Sequence, residues 1–363
     1  TQAFTATALT MLAEQGKLNM DDKVTDYVPN YTMRDPWVGE NAILKDIVSH
    51  RMGYRTFQGD FMIFDSDLTF DEIVDKMGKV TPEHPFRTQW GYYNTGFMVA
   101  GKVVEKAGGK TWEQFLRDEI FQPLGMSSTV ALSSEISGQT NKAAAHSYVN
   151  GEMAVIDYGI IDVVGPAGSI SSSIEDMHRW VQAQLDNGKW DGEQVIPASA
   201  IKTTRTPLSI MGQNSHPFNR SHYQLYGMGW MLQDYEGTGI VSHTGGIHGF
   251  VTSVTLVPEH RLGIVVLTNT DANAFYEGLK WEIVDAYLDL PYRNYGGLYS
   301  NYTNARRKAQ EQQKAVLIDS TALKVKPSTD LRNFEGKYTN PVYGKVTLIR
   351  EKNSLVMTFE HHP

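Results

Sequence analysis

The apolar positions Phe4, Ala8, Met11 and Leu12 recur at the spacing of one helix face, with Gly16 behind them as a stop, so the chain is expected to open in a helix with a buried face. A loop rich in Asp, Pro and Asn follows over 19–35, and a short helix over 41–48 ends at Ser49-His50-Arg51-Met52-Gly53. The same period predicts helices over 70–77, over 95–107 with Gly108-Gly109 as its stop, and over 111–121, closed by Pro123 and Gly125. Residues 128–158 carry no clear period. The stretch Gly165-Pro166-Ala167-Gly168-Ser169 reads as a loop leading into a helix whose apolar face holds Met177, Trp180, Val181 and Leu185, entered through Ser173 and Asp176 as an approximate capping box.

From Tyr226 the period changes. Runs over 227–232, 239–242, 250–257 and 262–268 are short and rich in β-formers, and their brief connections imply antiparallel neighbours. A helix over 275–288 would cover one face of that sheet. Residues 304–315 are polar and helix-prone, which suits an exposed linking helix, and 338–343, 345–350 and 355–359 read as strands of a small β module with Lys352-Asn353 as a turn. The predicted class is α+β, an antiparallel sheet flanked by helices beside a mainly helical region, with a partial C-terminal β module. The expected domains are 1–298, a linking helix over 299–330, and the start of a β-domain over 331–363, with truncation at both ends.

Composition narrows the chemistry. At 363 residues, 41% apolar and 20% charged, the chain has the make-up of a globular protein with a large core. A net charge of -8 without a basic cluster argues against nucleic acid and anionic membrane surfaces as partners. No run approaches the roughly 18 apolar residues of a membrane span. The absence of cysteine excludes a disulfide framework, thiol catalysis and Cys-ligated zinc, and the adjacent pair His361-His362 lacks carboxylate partners for a metal. No metal or organic cofactor is expected.

Two short patterns carry the candidate chemistry: Tyr92-Tyr93-Asn94 as a Y-x-N triplet, and His243-Thr244-Gly245-Gly246 as an H-T-G-G run. Taken singly, Tyr92 and Asn94 could be a helix-start aromatic and an N-cap, and His243 a strand-end histidine. In order along the chain come Phe4-Thr5-Ala6-Thr7-Ala8, Glu14-Gln15-Gly16-Lys17-Leu18, Ser49-His50-Arg51-Met52-Gly53, Tyr92-Tyr93-Asn94, Phe121-Gln122-Pro123-Leu124-Gly125-Met126, Pro166-Ala167-Gly168-Ser169, His243-Thr244-Gly245-Gly246 and Leu267-Thr268-Asn269. This succession resembles the serine β-lactamase and penicillin-binding-protein-like superfamily, particularly the class C β-lactamase-related serine hydrolases. The tail around Gly336-Lys337-Tyr338 and Pro341-Val342-Tyr343-Gly344 is similar to the β-domain appended to many of them.

The resemblance implies acyl transfer through an acyl-serine intermediate, on an ester, an amide of a D-amino-acid peptide, or a β-lactam. Tyr92 would be the general base and acid, and Asn94 the positioning amide. His243 would take the place of the third motif's Lys or His, polarising the tyrosine and, with Thr244, holding an acyl or carboxylate group. Gly246 would supply an oxyanion N–H, and Gly245 would let substrate approach the backbone. The start of the chain matches an S-x-T-K-A-F-T-A helix from its third position, so the nucleophile would lie two residues before Thr1, and Gln2 stands where the motif carries lysine. A neutral amide is no general base. The competing reading is therefore an inactive relative that keeps the cleft to bind cell-wall peptides or a protein partner. His50 reads as a helix-end cap rather than a catalytic group. Export to the periplasm or cell surface is what the resemblance implies for location.

Overall fold

The computed structural model describes residues 1–213, 218, 221–323 and 325–362. The chain divides into two compact units, Thr1–Ala272 and Asn273–Pro363.

In the first unit, helix α1 (Gln2–Glu14) lies at the centre, with every residue from Gln2 to Leu12 buried. It was expected to bury one face and buries all of them. Small side chains make this possible: Ala3, Ala6 and Ala8 admit neighbours closely, while Thr7 and Thr10 return their hydroxyls to the backbone oxygens of Ala3 and Ala6 at 2.8 and 3.1 Å. Leu9 and Leu12, both fully enclosed, each contribute about 1.5–3 kcal/mol by burial. Around α1 pack α2 (Thr95–Gly108), the short helix Gly165–Gly168 and the helix Ala198–Thr204. Two of these neighbours also meet each other at Gly101 of α2, where a Cβ would sit 2.1 Å from Pro166 Cγ of the short helix.

The six strands described for the main sheet form an antiparallel meander: β1 (Ser209–Gln213), β2 (Tyr223–Tyr226), β3 (Met231–Tyr235), β4 (Thr238–Ile247), β5 (Phe250–Val257) and β6 (Leu262–Thr268). Helix α3 (Ile174–Leu185) packs on β6, where Gly263 leaves room for Val181. The strands over 250–257 and 262–268 stand where their β-branched runs predicted them. The expected strand over 227–232 does not form. Its first residues make a turn with Gly229 at φ +71°, and pairing begins only at Met231. The period-free stretch holds a hairpin, Ala145–Val149 with Glu152–Ile156.

In the second unit, helix Phe275–Tyr287 packs on a 28-residue helix, Tyr295–Ala322, longer than the polar segment predicted. Three antiparallel strands follow, Gly336–Asn340, Gly344–Glu351 and Ser354–Phe359, with the middle strand between its neighbours. Among the described residues no helix is long and apolar enough to cross a membrane.

Candidate active site

Gln2 lies in the first turn of α1, Tyr92 and Asn94 lie in the turn entering α2, and His243 lies on β4. A close approach joins the first of these to the sheet. At Gly229 a Cβ would stand 2.7 Å from the backbone of Gln2 and Ala3, so the β2–β3 turn can rest on the helix start only as glycine. Gln2 is 2% exposed, and its carboxamide meets groups on both sides.

Its Nε2 donates to Tyr92 Oη at 2.7 Å and to Asn94 Oδ1 at 3.3 Å. Asn94 heads α2, yet its side chain does not cap the helix; its Nδ2 donates instead to Asp60 Oδ2 at 2.8 Å. An ionised carboxylate only accepts, so Asp60 sets the orientation of the Asn94 amide, and Asn94 Oδ1 in turn sets that of Gln2. A lysine ammonium would donate to the same two oxygens. The amide reproduces the donors without the charge.

The Gln2 carbonyl faces a second group of residues. Tyr226 Oη is 2.9 Å from Gln2 Oε1 and 3.0 Å from His243 Nε2, and His50 Nε2 is 3.2 Å from both Gln2 Oε1 and Tyr226 Oη. His243 Nδ1 lies 2.6 Å from the Thr244 carbonyl. His50 was expected to cap a helix end. It is instead fully buried in this cluster, with its Nδ1 accepting the Tyr93 N–H at 3.3 Å. Its backbone is left-handed at φ 58°, a conformation that costs a non-glycine residue roughly 1–3 kcal/mol and persists only where the surroundings enforce it. Buried Asp46 supplies that enforcement. It binds Arg51 at 2.6 Å and Arg87 at 2.7 Å on either side of the loop, while Ser209 Oγ donates to the Ser49 carbonyl.

Burial governs the protonation of the site. It pushes His243 down to about 4 and His50 well below the ordinary histidine value, the latter helped by the neighbouring His243. The Tyr92 phenol is pushed up by burial and then by Asp60, and Tyr226 by burial and then by Tyr92. Burial also raises the Asp60 carboxyl to about 6, against the hydrogen bonds from Asn94 that hold it down. At neutral pH the cluster therefore contains two neutral phenols, two neutral imidazoles and one carboxylate.

Beyond Ser242, which pairs with Met231, β4 keeps β5 on one edge and loses β3 on the other. Thr244, Gly245 and Gly246 lie on this half-paired segment, where alternate backbone groups face the open side. Both glycines are exposed, and a Cβ at Gly246 would meet nothing within 4 Å. The expected loop Gly165–Ser169 is a helical turn; Ser169 Oγ donates to the Gly165 carbonyl at 3.0 Å and is buried, so that hydroxyl serves structure. Thr1 Oγ1 accepts the Ile170 N–H at 3.2 Å. Among the described residues no group of three or more His, Cys, Asp or Glu is arranged to hold a metal ion.

Sequence reading brought Gln2, Tyr92, Asn94 and His243 together and missed Asp60, Tyr226 and the use made of His50. A signal existed only for His50, which stands inside one of the ordered segments.

Comparison with known proteins adds to this geometry. A family model described as Beta-lactamase matches residues 1–288. The chain is similar to the unguisins hydrolase ungD' of Aspergillus campestris, 28% identical, covering 98% of this chain and 68% of that protein. It is also similar to penicillin-binding protein 4 of Amycolatopsis lactamdurans, 27% identical over 78% of this chain and 74% of the relative. Among solved structures it resembles a D-stereospecific amidohydrolase from a Streptomyces species, with TM-score 0.62, 22% identity, and 74% and 80% of the two chains covered. It resembles as well the octameric penicillin-binding protein homologue of Pyrococcus abyssi, with TM-score 0.67, 19% identity, and 99% and 74% covered.

Proposed function

The chain belongs to the β-lactamase family and is a serine hydrolase of that kind; from this premise we propose that it cuts an ester, a β-lactam or, foremost, the amide of a peptide containing a D-amino acid. The nucleophile in this reading is a serine one helical turn ahead of Gln2 in the full-length protein. The observation that carries it is the pair of N–H bonds from Gln2 to Tyr92 and Asn94, which keeps both residues in the arrangement that an ammonium at that position would impose. Relatives named as a D-stereospecific amidohydrolase, a penicillin-binding protein and an unguisins hydrolase support an amide or peptide substrate.

In the proposed reaction the serine hydroxyl attacks the carbonyl, and the carbonyl electron pair moves to oxygen, where the Gly246 N–H meets it. Thr244 and Gly245 line the acyl group. Tyr92 is a neutral phenol whose oxygen already accepts from Gln2, so its own hydrogen is available for the leaving nitrogen or oxygen. Loss of the lysine charge costs this site on the order of two to four powers of ten in rate relative to a lysine-bearing one.

One observation favours a second reading: position 2 carries a neutral amide and burial holds the neighbouring His50 and His243 neutral, as befits an inactive relative that binds cell-wall peptides or a protein partner. Labelling the full-length protein with a fluorophosphonate or a penicillin, read by intact mass, decides between them. A single adduct on the upstream serine is expected; a folded, unlabelled protein would leave only the binding role. Either role suits the periplasm or cell surface, which fractionation of the source cells tests.

A further inference from the structure

The hydrogen bonds around Gln2 are one hydrogen short. Three contacts run in series: Gln2 Oε1 to Tyr226 Oη at 2.9 Å, Tyr226 Oη to His243 Nε2 at 3.0 Å, and His243 Nδ1 to the Thr244 carbonyl at 2.6 Å. Each needs a hydrogen between its two heavy atoms. A neutral Tyr226 supplies one and a neutral His243 supplies one. His50 cannot supply the third. Its Nδ1 accepts from Tyr93, so its one proton sits on Nε2, directed at Gln2 Oε1 and Tyr226 Oη from the side and at a longer 3.2 Å.

Turning the Gln2 amide over does not supply it either. That would set Gln2 Oε1 against Asn94 Oδ1, and turning Asn94 to relieve the clash would set its oxygen against the Asp60 carboxylate. With Asp60 ionised, as it is at neutral pH, the arrangement that fills all three contacts has His243 as an imidazolium. It then donates through Nδ1 to Thr244 and through Nε2 to Tyr226, and Tyr226 donates to Gln2.

We propose that His243 is the proton store of this active site: it is neutral at rest and becomes an imidazolium, through the Tyr226 hinge, when the anionic tetrahedral intermediate forms. The inference rests on the serine hydrolase reading and adds to it the destination of the serine proton. As the serine O–H breaks and the O–C bond forms, the carbonyl electron pair becomes the oxyanion and the proton comes to rest on His243. As the C–N or C–O bond then breaks, the pair returns to the carbonyl, Tyr92 gives its hydrogen to the amine or alcohol, and the proton held on His243 restores the phenol. Charge is conserved throughout. The site trades a permanent cation at position 2 for a transient one at position 243.

The groups facing His243 allow this. From β2 comes Tyr226, from the turn before α2 comes the Tyr92 ring, with its centroid 6.2 Å away, and behind Tyr226 stands His50. On α1 is the neutral Gln2 amide, and on β5 the paired residue is Val254. No carboxylate touches the ring among these neighbours, so burial keeps it neutral at rest. The opposite charge of an oxyanion, together with the third hydrogen bond, is what reverses that preference.

A boronic acid reads the event directly. When a neutral, trigonal arylboronic acid adds to serine, the product is a tetrahedral anion and one proton is lost from the serine. Titration calorimetry of the full-length protein at neutral pH, in buffers of different ionisation enthalpy, counts the protons that reach solvent. The expected result for the native protein is release well below one proton per adduct. His243→Gln and Tyr226→Phe should each release about one, as should Gln2→Lys, whose ammonium makes the store unnecessary. An adduct seen by intact mass together with release of a full proton from the native protein overturns the proton store and leaves the hydrolase reading standing. Absence of any adduct, with fluorophosphonate or boronate, overturns both.

Discussion

Replacing Asp60 by asparagine should make this protein more stable and less active, for one physical reason. The carboxyl is 9% exposed, one of its oxygens holds Asn94 Nδ2 at 2.8 Å, and the other has no hydrogen-bond partner among the described residues. Burial raises its pKa from 3.8 to about 6. A carboxyl whose folded value lies above its unfolded value binds its proton more tightly in the folded state, so folding stability falls as pH rises from about 4 to about 6 and is then level. Two pKa units correspond to about 3 kcal/mol, an upper bound because the Asn94 bond loses its charge assistance in the variant. Asp60→Asn should therefore match the native protein below pH 4 and exceed it by roughly 1–3 kcal/mol above pH 6. Urea titrations at four pH values across that window measure the difference. Fluorophosphonate labelling measures the other half. Without a carboxylate that only accepts, nothing compels Asn94 to present its oxygen to Gln2, and the labelling rate should fall by about tenfold or more, the worth of one charged hydrogen bond. A stability difference that is flat or negative over the whole window would refute the reasoning, because it would mean that Asp60 ionises without strain.

Two further substitutions test how the fold holds the site. Gly229→Ala combines a left-handed φ of +71° with a Cβ 2.7 Å from the Gln2–Ala3 backbone, so the helix start must move by some tenths of an ångström. A loss of about 1–2 kcal/mol in urea unfolding is expected, with a fall in labelling rate approaching the hundredfold cost of misplacing reacting groups by about an ångström; native values of both would remove Gly229 from the account. Thr5→Val keeps the shape of α1 but deletes a hydroxyl that donates to the Pro166 carbonyl at 2.7 Å and accepts Trp112 Nε1 at 3.0 Å. It should cost about 1–3 kcal/mol in thermal or urea unfolding, and an unchanged melting temperature would show that water replaces both bonds.

What the sequence disclosed, and what it withheld, follows the range of the interactions. Strands over 250–257 and 262–268 were legible because β-branched runs act on their own backbone; the expected strand over 227–232 failed because Gly229 answers to the Gln2 backbone, a contact no local pattern records. The same division runs through the candidate site. Tyr92, Asn94 and His243 were legible through the short patterns that contain them. Asp60, His50 and Tyr226 reach Gln2 or Asn94 across 34, 48 and 224 positions of sequence, from a short 3-10 turn, a left-handed residue and a strand that was not foreseen. Gln2 is where the two scales meet. Read as a position in a helix pattern it is a lost lysine, and by that count the site lacks its base. Read with its neighbours it donates to the two oxygens a lysine would serve, and it adds an acceptor that a lysine does not have. That added acceptor creates the contact lacking a hydrogen, and hence the vacancy that a proton on His243 fills. Under the proposed proton store, the residue that argued most strongly against catalysis is thus the one that supplies the site with a place to keep the proton catalysis must move.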